Sequence, residues 1–155
     1  MAIQEGAKAP KIELLTDKNE KLSLAELTKA GKQVVVYFYP KSDTPGCTTE
    51  ACEFRDQHAA FARTDTVVLG ISPDPVKNQA KFQAKFDLPF TLLSDPEHTV
   101  AEAYGVWVEK SMYGRKYMGV ERATFLIGTD GKIKKIWHNV KAKGHAAEVL
   151  AALAE

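Results

Sequence analysis

The chain has 155 residues, with 21 Lys and Arg against 20 Asp and Glu and a formal net charge of +1. That length buries a full core without disulfide or metal staples, and the even balance excludes the strong basic field that nucleic acid or an anionic membrane surface would select. The N-terminal stretch lacks the apolar segment of a secretory signal, and the longest apolar run, 34–39, is too short to span a bilayer, so one soluble cytoplasmic domain over 1–155 is expected.

Residues 12–15 and 21–24 flank the turn-formers of 17–20 and predict an N-terminal β-hairpin, followed by a short helix over 25–30 that ends at Gly31. The run 34–39 is β-branched and aromatic on both faces, which predicts a central strand covered on both sides; 67–71 reads as a second. Between them a helix should start at 44–47 and run to about residue 63, with Ala51, Phe54, His58 and Phe61 on one face. Pro75 opens a further helix over 76–86, because proline fits a first helical turn. Extended structure over 88–93 and a short helix over 96–104 follow. Trp107, Met112, Tyr113, Tyr117 and Met118 then make an apolar-rich stretch that reads either as a flap over a site or as a partner-facing surface. Gly128-Thr-Asp-Gly131 separates two strand-like runs, 123–127 and 132–137, with an Asp-Gly turn signal, and an amphipathic helix over 144–153 closes the chain. This order is that of an α/β, thioredoxin-like fold: a central mixed sheet flanked by helices, with the N-terminal hairpin added.

Two cysteines, Cys47 and Cys52, sit in Pro40-Lys-Ser-Asp-Thr44-Pro-Gly-Cys47-Thr-Thr-Glu50-Ala-Cys52, directly after the central strand. In a reducing compartment such a pair is more often catalytic, redox-sensing or metal-binding than structural. A free thiol is mostly protonated at neutral pH, and the unpaired N–H groups and dipole of a helix N-terminus favour the reactive anion. Ionisation alone raises the reactive fraction only about thirtyfold, so a fast reaction needs further donors. Candidates are the Thr44 hydroxyl, the N–H groups of Gly46 and Cys47, and Arg122, a permanent cation just before an interior strand. Each has a plainer reading: Thr44 as a helix cap, Arg122 as a surface strand-end residue, Pro40 as a strand terminator that in some turns also shields a site. On an intact helix, residues five apart have Cα atoms roughly 8.6 Å apart, whereas disulfides need about 4.4 to 6.8 Å. If the two cysteines pair, the first turns of the helix must unwind; Cys52 as a small buried hydrophobe remains the alternative.

Pro40-x-x-x-Thr44-x-x-Cys47 resembles the peroxidatic signature of the peroxiredoxins, and Thr44-Pro-Gly-Cys-Thr-x-Glu50-x-Cys52 resembles their bacterioferritin comigratory protein, or peroxiredoxin Q, branch. The likeness extends from Gly6-x-x-Ala-Pro10 through Arg122-x-Thr124-Phe to Asp130-Gly131. It implies a peroxidase for hydrogen peroxide and organic hydroperoxides. Cys47 would be peroxidatic and pass through a sulfenic acid, Cys52 resolving through an intramolecular disulfide, Arg122 polarising the peroxide and activating the thiolate, and Thr44 orienting it. It also implies recycling by thioredoxin, with glutaredoxin or glutathione possible, no cofactor, and a monomer. Some relatives place the resolving cysteine on the next helix; 76–86 contains none here. From a different class, the same disulfide could switch a redox-regulated binding protein or holdase. The four histidines are scattered without ligand spacing to the cysteines, so no metal is expected.

Overall fold

Strand β3 (Gln33–Phe38) organises the molecule, because its side chains are buried on both faces. The computed structural model describes residues 3–153. Before β3 lie β1 (Glu13–Thr16), β2 (Lys21–Ser23) and α1 (Leu24–Lys29). After it come α2 (Pro45–Asp56), α3 (His58–Arg63), β4 (Thr66–Ser72), α4 (Val76–Phe86), β5 (Thr91–Ser94) and α5 (Thr99–Ala103). The chain continues through β6 (Trp107–Met112), β7 (Arg115–Val120), β8 (Ala123–Ile127), β9 (Ile133–Trp137) and α6 (His145–Leu153). Seven strands form one sheet in the order β2-β1-β5-β4-β3-β8-β9, with β3, β4 and β5 parallel and β8 antiparallel to β3. This is the expected thioredoxin-like arrangement, and the N-terminal hairpin extends its β5 edge through β1.

Alternation along β3 divides the core. Val34, Val36 and Phe38 join Ile12, Leu24, Tyr104 and Phe125 on one side of the sheet. Val35, Tyr37 and Tyr39 join Ala51, Phe54, Phe61, Phe82 and Val149 on the other, so α2, α3, α4 and α6 cover that face. Tyr37 stacks between Tyr39 and Phe54, with ring centroids 5.4 and 4.7 Å away. Its ring needs the space above Gly70, where an added Cβ would come within 2.9 Å of Tyr37 and of Leu92.

Several boundaries differ from the sequence expectation. The helix expected over 44–63 breaks at Gln57, whose φ of −98° and ψ of 3° end α2 before α3 begins. Ala51, Phe54 and Phe61 are buried as expected, but beyond the break His58 is only half-buried. Residues 88–90 are not strand: Asp87 turns the chain in the left-handed region, φ 51°, and β5 starts at Thr91. α5 is shorter than 96–104 because His98 is left-handed at its start and the Asp95 carboxylate accepts from the N–H groups of Val100 and Ala101. The apolar-rich stretch is a separate antiparallel ribbon, β6 with β7, whose Tyr113 and Gly114 both have positive φ. Trp107 anchors its root by stacking on His98 at 3.9 Å, while Met112, Tyr113, Tyr117 and Met118 stay exposed.

Because Gly70 sits under a filled ring cluster, Gly70→Ala should destabilise the protein by about 1–3 kcal/mol in urea unfolding. A change below a few tenths of that range would mean that the Tyr37 contact is easily relaxed.

Candidate active site

The site forms where β3 hands over to α2. β3 ends at Phe38, although the Tyr39 N–H still donates to Ile71, and half-buried Pro40 begins the turn. Asp43 is left-handed, φ 58°, and Thr44 returns to extended backbone as the residue before the helix. Pro45 occupies the first helical position, where its missing N–H costs nothing. The first bond of the helix runs from the Thr48 N–H to the Thr44 carbonyl, 2.8 Å, leaving the N–H groups of Gly46 and Cys47 outside the intrahelical ladder.

Cys47 is 1% exposed and lies against the Tyr37–Phe54 side of the core. Arg122, at the entry to β8, reaches it from the opposite strand: Nη2 donates to Cys47 Sγ at 3.3 Å. The other arm of the same fork, Nη1, donates to Glu50 Oε1 at 2.7 Å. Gly46 makes room for this fork, since a Cβ there would lie 3.0 Å from Arg122 Nη2. Thr44 makes no side-chain cap; its Oγ1 donates to the Lys41 carbonyl at 2.8 Å, so its oxygen is left to act as an acceptor. Cys52 is half-buried in the same unbroken helix as Cys47, and both thiols are free.

Glu50 stood in the quoted signature but was given no role. It is three residues past Cys47, where a glutamate on a helix ordinarily faces solvent, yet it is fully buried and its Oε2 has no partner. Burial pushes its pKa up to about 7, against the opposing pull of the Arg122 charge and hydrogen bond. Burial also works against the Arg122 charge, but Glu50 and Cys47 outweigh it and hold the guanidinium above its ordinary range. Burial and then the Arg122 charge lower the pKa of Lys110, on β6, while the charges of Cys47 and Glu121 oppose them. Among the described residues no group of three or more His, Cys, Asp and Glu is placed to hold a metal ion, and no helix is long and apolar enough to cross a membrane.

A thiol under a guanidinium, at a helix start with two free N–H groups, is arranged to attack an electrophile whose leaving atom gains negative charge. The AhpC/TSA family pattern matches residues 6–136. Peroxiredoxin Bcp of Bacillus subtilis is 51% identical over 153 residues, covering 99% of this chain and 96% of its own. The solved structure of Xylella fastidiosa PrxQ superposes with a TM-score of 0.93 at 36% identity, covering 99% of this chain and 97% of its own. That of the Xanthomonas campestris bacterioferritin comigratory protein, whose alkyl peroxide reduction activity has been addressed through trapped intermediate and ligand complexes, superposes with a TM-score of 0.86 at 39% identity over 92% of this chain and 90% of its own.

The buried carboxyl gives a pH signature. Glu50 is raised in the fold, so folding favours its protonated form; that stability is present below the unfolded pKa of about 4.5 and is lost as pH rises through about 7. Urea unfolding between pH 4.5 and 7.5 should therefore show the wild type losing on the order of 3 kcal/mol relative to Glu50→Gln. Parallel pH profiles for the two proteins would contradict the assignment.

Proposed function

The chain belongs to the AhpC/TSA family of peroxiredoxins, in its Bcp branch, and is thus a thiol peroxidase; from that premise we propose that Cys47 is the peroxidatic residue. The observation that carries this reading is the Arg122 fork, which joins Cys47 Sγ to a buried carboxylate at the start of α2. In the proposed step the Cys47 thiolate attacks the terminal oxygen of hydrogen peroxide or a small organic hydroperoxide. An S–O bond forms, the O–O bond breaks, and the departing hydroxide or alkoxide takes a proton from water. Arg122 and the N–H groups of Gly46 and Cys47 stabilise the charge that moves to the leaving oxygen, Thr44 accepts from the peroxide O–H, and Pro40 screens the sulfur from water.

The second half-reaction uses Cys52. Its thiolate attacks the Cys47 sulfenic sulfur, an S–S bond forms, and hydroxide leaves. Both cysteines lie in one helix, so this step requires α2 to unwind at its first turns. The free thiols correspond to the reduced form. A dithiol of the thioredoxin type, or glutaredoxin or glutathione, returns the disulfide to two thiols, with no cofactor on this chain. We further place the enzyme in the cytoplasm as a monomer of one domain; sedimentation of the reduced protein tests the oligomeric part.

Cys47→Ser should abolish peroxide consumption coupled to NADPH through thioredoxin and its reductase. Cys52→Ser should keep one fast turnover and yield a sulfenic acid that dimedone traps. Equal loss of the first turnover in both variants would overturn the division of roles.

A further inference from the structure

The turn that carries Pro40 and Thr44 is tied at the surface by Lys85 Nζ, on α4, to the Asp43 carboxylate at 2.9 Å, and inside by a buried polar chain that runs through β4, β5 and α4. The Ser42 N–H donates to Asp74 Oδ2 at 2.7 Å. Asp74, 8% exposed just beyond β4, also accepts from Ser72 Oγ on Oδ2 at 2.6 Å, and its backbone carbonyl accepts from Ser94 Oγ. Ser72 Oγ in turn accepts from Gln79 Nε2 at 2.9 Å and from the Asp74 N–H at 3.3 Å. Gln79, fully buried on α4, donates to the Leu93 carbonyl and accepts from the Tyr39 hydroxyl at 2.6 Å. The chain thus leaves the turn at Tyr39 and re-enters it at Ser42.

One peptide group links this network to the chemistry. The N–H of Ser42 and the carbonyl of Lys41 belong to the same planar unit and point in opposite directions. The N–H end is held by Asp74, and the carbonyl end accepts the Thr44 hydroxyl proton. A peptide plane fixed by a carboxylate fixes the direction in which Thr44 donates, and therefore where its acceptor lone pairs lie. We propose that Asp74 is a positioning residue for peroxide reduction: through the Lys41–Ser42 peptide it holds the Thr44 hydroxyl as an acceptor facing the peroxide.

The inference rests on Cys47 being peroxidatic, and it predicts a defect confined to peroxide. Single-turnover oxidation by hydrogen peroxide and alkylation by iodoacetamide are measured on the reduced full-length wild type, Asp74→Ala, Asp74→Asn, Thr44→Val and the Thr44→Val, Asp74→Ala double variant, with folding checked by circular dichroism. Asp74→Ala should slow peroxide oxidation roughly tenfold or more while alkylation stays within about threefold; Asp74→Asn, whose amide oxygen can replace Oδ2, should retain most of the rate. The double variant should be no slower than Thr44→Val alone, because the two residues act through one hydroxyl. If Asp74→Ala does not fold, Ser72→Ala, which removes the hydroxyl orienting Asp74, should show the same selective loss. Parallel loss of both rates, no loss, or additive losses in the double variant would overturn the proposal. A wild type that reacts with peroxide no faster than a free thiol would instead overturn the role of Cys47.

Discussion

One guanidinium holds this site together. Arg122 divides its fork between the sulfur of Cys47 and the carboxylate of Glu50, and both partners are buried. A buried ion pair is a poor source of stability, because desolvation cancels most of the Coulomb gain. Its use here is geometric: Glu50 fixes one arm of a rigid planar donor, so the other is held on the sulfur before any substrate arrives. Lysine could supply the charge but not the fork. The remaining features make room for this arrangement, with Gly46 leaving space for Nη2, Pro45 starting the helix without a wasted donor, and β8 delivering Arg122 beside β3.

The same helix is asked to do two opposed things. In the reduced form α2 must be intact, because its first turn places Cys47 and supplies the free N–H groups. For the proposed disulfide it must come apart over that turn. The fold allows this unevenly: Ala51 and Phe54 anchor the middle of α2 in the aromatic cluster under β3, while Pro45 and Thr49 face outward. Local opening at the N-terminal end exposes less apolar surface than opening of the whole helix, and is the less costly motion. The turn before α2 is held by a different set of bonds, those of Asp74, Gln79 and the Lys85–Asp43 ion pair, so the Thr44 side of the site is supported from β4 and α4 rather than from α2 itself.

How far the sequence spoke depended on whether the deciding contacts were local. β3 was legible because six consecutive β-branched and aromatic residues, in a run too short for a typical helix, favour a strand covered on both faces. The start of α2 and the 128–131 turn were legible because Pro, Gly and Asp act on their own backbone. The break at Gln57 involves neither proline nor glycine and had no such marker. The β6–β7 ribbon was read as an apolar-rich flap or partner-facing surface and not as a hairpin, although Tyr113-Gly114 between alternating segments was the available turn signal. Glu50, quoted only as a signature residue, and Asp74 were given no role for a stronger reason: Arg122 and Ser42, which hold their carboxylates in place, lie 72 and 32 residues away in the chain, and the one local partner, Ser72 beside Asp74, does not mark a buried acid by itself.

We propose that the shape of the Arg122 donor, and not only its charge, makes Cys47 react with peroxide. Arg122→Lys separates the two, and stopped-flow measurement of the first turnover with hydrogen peroxide reads the difference. The predicted result is a rate lower by roughly a hundredfold or more, with Cys47 still alkylated by iodoacetamide. A first turnover within about twofold of the wild type would overturn this role of Arg122, since positive charge alone would then suffice.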